Sequence, residues 1–71
     1  MEAVVDARGL MCPEPVLLTR RELQRLKKGR VRVIVDAAAA RDNVTRLAQH
    51  EGWRVSVTEE GDTWLLILEK D

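Results

Sequence analysis

The stretch Val31-Arg32-Val33-Ile34-Val35 lies near the middle of a 71-residue chain, between two segments of different character. Four of its five residues are β-branched, which predicts a strand with at least one buried face. The segments before and after it carry apolar residues at helical spacing. This pattern predicts a strand that connects two helices, as in folds that alternate strands and helices.

The range 13–27 is predicted to form the first helix, because its apolar residues recur at steps of three and four. Pro13 and Pro15 suit the first turn, where backbone N–H groups have no helical partner. Two lysines near the C-terminal end suit the helix dipole, and Gly29 is expected to end the helix.

The second half of the chain predicts a helix followed by a hairpin. Asp36 is a good N-cap residue, and the second helix is expected to run from there to about Glu51. Residues 53–58 alternate apolar and polar side chains, and residues 64–68 form an apolar run of strand length. A tight turn at 60–62 joins these two strands, so that they form a hairpin.

A short first strand at Val4-Val5 completes the element order βαβαββ. Each β-helix-β connection is expected to be right-handed, which places both helices on one face of the sheet. The predicted fold is therefore an α/β (α+β) two-layer sandwich with a four-stranded mixed sheet. Residues 1–71 are predicted to form a single domain. The sheet face without helices is expected to carry Arg32, Arg54, Ser56 and Thr58.

The composition narrows the classes of function. Twelve basic and twelve acidic residues give a net charge of zero, which argues against direct nucleic-acid binding. One cysteine allows neither a disulfide within the chain nor a cysteine-based zinc cluster, and we expect no metal or cofactor. We find no bilayer-spanning apolar run and no signal-peptide pattern, so that we expect a cytoplasmic protein without a membrane partner.

Cys12 is the candidate catalytic residue. It lies immediately before the first predicted helix, where the dipole favours the nucleophilic thiolate over the thiol. Pro13 restricts the conformation of the preceding residue, which is expected to hold Cys12 outside the helix. The alternative is a small buried hydrophobic residue, a common role of a lone cysteine. Leu10 and Met11 already supply an apolar anchor before the helix, and we favour the reactive interpretation.

The absence of a second thiol limits the chemistry of Cys12. A dithiol oxidoreductase needs a resolving cysteine, and this chain contains none. A cysteine hydrolase needs a nearby base, and the one histidine, His50, is expected to lie exposed at the end of the second helix. A single activated thiol can accept a group, hold it and pass it to a partner, and sulfane sulfur is such a group.

The segment from Asp6 to Val16, with the sequence DARGLMCPEPV, resembles the signature of the TusA/SirA/YedF family of small sulfur-carrier proteins. That signature is a loop that ends in Gly-Leu-x-Cys-Pro-x-Pro close to the N-terminus. The resemblance extends over essentially the whole chain and implies a βαβαββ two-layer sandwich. It also implies a persulfide on Cys12. The supporting positions of the CPxP motif and its loop are Gly9, Pro13, Glu14 and Pro15.

The resemblance also implies partners. A cysteine desulfurase or a rhodanese would donate sulfur, and a downstream acceptor protein would receive it in tRNA thiolation, sulfur oxidation or cofactor assembly. Arg20 matches a basic position associated with partner docking, and Arg8 is a candidate for further positive charge near the thiol. Residues 35–44 are more similar to the YedF-like, selenium-associated branch. The resemblance therefore leaves open which branch the protein belongs to and whether its cargo is sulfur or selenium. It also leaves open whether the carrier is an enzyme.

Two alternative functions remain. A non-catalytic interaction or regulatory module could bind a partner on the exposed sheet face near Trp53 or Trp64, although core packing is the favoured role of both tryptophans. A regulatory role on nucleic acid through the basic residues between 20 and 32 is the weakest hypothesis, because the charge balance is neutral and aromatic residues are few.

Overall fold

The computed structural model describes residues 2–11 and 13–71, and its six elements follow the predicted order. The elements are β1 (Glu2–Asp6), α1 (Glu14–Leu26), β2 (Gly29–Val35), α2 (Ala38–His50), β3 (Arg54–Glu60) and β4 (Thr63–Lys70). The strands form one sheet in the order β1-β2-β4-β3. β1 is parallel to β2, and the other two pairings are antiparallel. The predicted mixed sheet and two-layer α/β (α+β) sandwich are therefore confirmed.

The central strands β2 and β4 supply most of the buried sheet surface. Val31 pairs with Leu68 and Val33 pairs with Leu66, and all four side chains are fully buried. α1 contributes Leu23 to the same core, while α2 contributes small residues that allow close packing on the sheet. The strand at 31–35 thus lies at the centre of the molecule because alternate valines face both helices.

The sheet face opposite the helices carries the four residues that the sequence placed there. The register pairs Arg32 with Ile67 and Ile67 with Ser56, and it places Thr58 beside Leu65 in the next row. At one end of this face, Arg54 pairs with Glu69 in the register. The face is thus a mixture of charged, hydroxyl and half-buried apolar side chains.

Exposed ion pairs border one end of the open face. Arg30 lies 2.9 Å from the Glu69 carboxylate and 3.7 Å from that of Glu2, and Arg54 lies 3.3 Å from Asp71. Solvent screens such pairs, so each adds little to the free energy of folding.

The ends of both helices differ from the prediction. Ala37, and not Asp36, is the N-cap residue of α2, and it makes no side-chain capping hydrogen bond. The carboxylate of Asp36 instead accepts a hydrogen bond from the backbone of a distant loop, described below. α1 ends at Leu26 with Lys27 in the left-handed conformation, so Gly29 begins β2 and does not end the helix.

Replacing Lys27 by glycine is expected to stabilise the protein. Lys27 has a φ of 65°, and a side chain in this conformation is strained whereas glycine is not. We expect Lys27→Gly to raise the free energy of unfolding by about 0.5–1 kcal/mol, measured by urea denaturation. The control is Lys28→Gly, which relieves no such strain, and an equal gain there would contradict the explanation.

The two tryptophans lie on the helix-covered side. Trp53 is 4% exposed and belongs to the core, as favoured from the sequence. Trp64 is half-buried against the core, and the guanidinium carbon of Arg41 lies 4.9 Å from the centre of its ring. Neither tryptophan is therefore a free docking residue on the open face. In the described part of the chain, no helix is long and apolar enough to cross a membrane.

Candidate functional site

Cys12, the predicted nucleophile, lies outside the described residues, and the structure describes the residues on both sides of it. Met11 is 82% exposed, and Pro13 is exposed at the N-cap of α1. Leu10 packs against the core, whereas Met11 does not, so the expectation that both residues anchor the loop was wrong for Met11. Ala7, which is 1% exposed, fills the space under the loop together with Leu10.

The loop between β1 and α1 is held to the end of β2 by two backbone donors. The N–H group of Ala7 donates to the carbonyl of Ile34 at 2.8 Å. The N–H group of Gly9 donates to a carboxylate oxygen of Asp36, also at 2.8 Å. Gly9 has a φ of 77°, which explains why the motif needs glycine at this position. The loop therefore leaves the sheet in a defined direction toward Met11.

Asp36 was predicted to be the N-cap residue of the second helix, and this prediction was wrong. Its carboxylate contacts a backbone group 27 positions away instead of its own helix. The parallel pairing of β1 with β2 is the feature that predicts this contact, because the residues that follow two parallel neighbouring strands meet at one edge of the sheet. An aspartate after β2 is thus within reach of the N–H groups of the loop after β1.

Loss of the Asp36 carboxylate is expected to loosen the loop. Asp36→Ala leaves the Gly9 N–H without its partner, so we expect faster hydrogen exchange at that amide and a lower free energy of unfolding in urea. Asp36→Asn, which keeps an oxygen acceptor, is expected to recover part of both effects. Unchanged exchange at Gly9 in Asp36→Ala would contradict this role, and Asp42→Ala on α2 is the matched control.

Arg8 is paired with a carboxylate in the same loop. Its Nε and Nη2 atoms donate to the two carboxylate oxygens of Asp6 at 2.9 and 2.7 Å. This contact raises the pKa of Arg8 and lowers the pKa of the Asp6 carboxyl from 3.8 to about 2. The positive charge that Arg8 was expected to lend to the thiol is thus largely balanced by its neighbour.

The lowered pKa of Asp6 predicts a specific dependence of stability on pH. As the pH falls below about 4, the unfolded chain takes up a proton on Asp6 before the folded protein does. The stabilisation from the ion pair is therefore complete above that pH and is lost as the pH approaches about 2. We expect Asp6→Asn to lose less stability over this interval than the unmodified chain in urea unfolding. Asp62→Asn, in the exposed β3–β4 turn, is the control.

The first turn of α1 offers few free backbone donors. Proline has no N–H group, which removes Pro13 and Pro15. The N–H group of Glu14 donates to the carbonyl of Met11 at 2.9 Å. The helix dipole remains as the electrostatic effect at this end, and the exposed carboxylate of Glu14 opposes part of it. Pro15 itself is buried, and its carbonyl accepts a hydrogen bond from the Thr19 hydroxyl at 2.8 Å.

The remaining candidate residues lie along the helices. Arg20 is exposed on α1, six residues after its first residue, or about 9 Å along the helix axis. The side chain of His50 is 85% exposed at the end of α2, which confirms the expected position, and its Nδ1 atom lies 3.7 Å from the Glu51 carboxylate. No group of three or more possible metal ligands occurs among residues 2–11 and 13–71.

Comparison with known proteins agrees with this architecture. Residues 3–70 match the family described as Sulfurtransferase TusA. A candidate sulfur carrier protein from Methanocaldococcus jannaschii is 34% identical over 67 residues, which cover 93% of this chain and 89% of the relative. A second candidate sulfur carrier, from Archaeoglobus fulgidus, is 36% identical over 70 residues and covers 94% and 80% of the two chains.

A solved structure has the same fold. A SirA-like protein from Desulfitobacterium hafniense superposes with a TM-score of 0.88 at 26% identity, covering 94% of this chain and 95% of that one. The fold and the loop before α1 define a small α/β domain of the sulfur-carrier class. The chain belongs to the TusA sulfurtransferase family, which confirms the resemblance inferred from residues 6–16.

Proposed function

We propose that this protein carries sulfane sulfur as a persulfide on Cys12 and passes it to a partner protein. The observation that carries the proposal is the CPxP motif at the start of α1 in a chain of the TusA family. The residues on both sides of Cys12 are exposed, which is what transfer between two proteins requires. The described loop, held by Asp36 and Gly9, supplies a rigid support for that motif.

The proposed transfer of sulfur requires no external oxidant or reductant. The Cys12 thiolate attacks the terminal sulfur of a persulfide on the donor, a new S–S bond forms, and the donor thiolate leaves. In the second transfer, an acceptor thiolate attacks the terminal sulfur on Cys12, and Cys12 leaves as a thiolate. The dipole of α1 favours the anionic form in both steps.

The donor class and the pathway are further parts of the proposal. A cysteine desulfurase or a rhodanese supplies the sulfur in the cytoplasm, and a downstream acceptor protein takes it toward tRNA thiolation, sulfur oxidation or cofactor assembly. The family membership supports a sulfur cargo in general terms. A selenium cargo is the competing possibility, and the same desulfurase loading experiment with selenocysteine in place of cysteine distinguishes the two.

The test is the intact mass of the protein after incubation with a cysteine desulfurase and cysteine, or with a rhodanese and thiosulfate. We expect a gain of one sulfur atom in the unmodified chain and in Asp62→Asn, a substitution in the exposed β3–β4 turn. No gain from either donor would overturn the proposed function.

A second candidate function rests on the open face of the sheet. Val4 is 61% exposed there, and Ile34, Leu65 and Ile67 are half-buried, so that the face offers apolar area to a binding partner. In this case the protein is a non-catalytic interaction or regulatory module of residues 1–71. A cellular phenotype that survives Cys12→Ser but not Ile67→Lys would favour this function over sulfur transfer.

A further inference from the structure

A groove between α1 and α2 begins at the residue that follows Cys12. Its volume is about 390 Å³. Its lining residues come from the start of α1 and from one face of α2: Pro13, Val16, Asn43, Arg46, Leu47 and His50. The spacing of the α2 residues, at steps of three, one and three, places them on one side of that helix. The groove therefore joins the CPxP motif to the second helix.

The groove has an apolar floor and a basic rim. Val16 and Leu47 are half-buried, whereas Arg46 and His50 are exposed. Arg46 makes a long hydrogen bond of 3.5 Å to the Asn43 side chain. Its charge also acts on Asp42, but the main partner of that carboxylate is Arg41 at 2.8 Å, so Arg46 keeps most of its donor capacity for another group. Glu51 lies 3.7 Å from His50, so that Arg46 is the main cation of the rim. None of the described residues that line the groove is acidic.

Exposed apolar side chains continue this surface around the start of α1. Leu17 is 52% exposed and lies one helical turn after Pro13, on the same side of α1. Met11, on the other side of Cys12 in the sequence, is 82% exposed. Large apolar side chains that remain in solvent next to a groove are typical of a protein-binding surface. An adaptable, exposed methionine one residue before Cys12 fits such a role.

We propose that this groove docks an acidic segment of the protein that donates sulfur to Cys12. One apolar side chain of that segment lies between Val16 and Leu47, and a carboxylate beside it pairs with Arg46. The charge of the rim selects an acidic partner, and the apolar floor contributes affinity. Docking at this position brings the donor next to the CPxP motif. The inference rests on the proposed function, because it assigns the donor's contact surface.

Charge reversal of the rim tests the proposal. We compare sulfur loading of the full chain by a cysteine desulfurase plus cysteine with loading by cysteine persulfide, a small donor that needs no docking. In Arg46→Glu, we expect kcat/KM with the desulfurase to fall about tenfold, while loading by cysteine persulfide stays unchanged. The control is Arg54→Glu, which changes the same charge at the far end of the open face and is expected to lose little.

The ionic strength of the buffer and a substitution in the groove floor provide two further tests. Added salt is expected to slow the desulfurase reaction of the unmodified chain more than that of Arg46→Glu. Leu47→Ala, with its fold checked by circular dichroism, is expected to slow the same reaction and leave the small donor unaffected.

The outcomes separate this inference from the proposed function. Equal rates of desulfurase loading for Arg46→Glu and Arg54→Glu would overturn the proposed docking surface. A desulfurase that loads the unmodified chain no faster than cysteine persulfide does would overturn it as well. Failure of both donors to load Cys12 would instead overturn the proposed function.

Discussion

Cys12→Ser is expected to abolish sulfur loading from every donor. A serine hydroxyl is not ionised at neutral pH and forms no stable equivalent of a persulfide, so the step that makes the S–S bond is lost. Because the chain has a single cysteine, no other residue can replace it. The measurement is the rate of sulfur uptake, followed by mass spectrometry, with the desulfurase and with cysteine persulfide.

Two controls separate the loss of the thiol from a change in fold. Cys12→Ser is expected to keep the urea midpoint of the unmodified chain and the dispersion of its amide NMR spectrum. Alkylation of the unmodified chain with iodoacetamide before loading is expected to block uptake as completely as the substitution does. Sulfur uptake by Cys12→Ser at the rate of the unmodified chain would contradict the proposed role of this residue.

Leu66→Ala is expected to remove a large part of the stability of the fold. Leu66 is fully buried at the centre of β4, between Val33 of β2 and Val57 of β3 in the register. Truncation of a buried leucine costs about 2–5 kcal/mol, through lost burial and the cavity that remains. A domain of this size has a free energy of unfolding of only about 5 kcal/mol. We therefore expect a largely unfolded or marginally folded protein, measured by urea denaturation.

The neighbouring residue is the matched control. Leu65 precedes Leu66 in β4 and faces the open side of the sheet, where it is half-buried. Leu65→Ala is expected to cost about 1 kcal/mol, because a half-buried side chain loses less burial than Leu66 and leaves no enclosed cavity. Equal losses from the two substitutions would contradict the assignment of the helix-covered and open faces.

The alternation of side chains made the core of the sheet predictable. At 31–35 the buried valines alternate with residues of the open face, in agreement with the predicted strand that has at least one buried face. The apolar run 64–68 was correctly predicted as a strand, and it lies between β2 and β3 with Leu66 buried in the core and Leu65 and Ile67 half-buried on the open face. The order β1-β2-β4-β3 depends on how the hairpin packs against β2, which no local pattern specifies.

The ends of elements and the surroundings of the site were less predictable, because long-range contacts decide them. The carboxylate of Asp36 can cap its own helix or accept from Gly9, and the pairing of β1 with β2 selects Gly9. The exposure of Met11 follows from the direction in which that loop leaves the sheet. The groove beside Pro13 exists only once α1 and α2 are packed together, so spacing within either helix does not reveal it.

The most direct test of sulfur transfer by this protein is the mass of its Cys12 peptide. The protein is loaded with a cysteine desulfurase and cysteine, digested without reductant, and analysed before and after treatment with dithiothreitol. We predict that the peptide containing Cys12 gains one sulfur atom and that the reductant removes it. A Cys12 peptide of unchanged mass, under conditions in which the desulfurase itself carries a persulfide, would contradict the proposed carrier role.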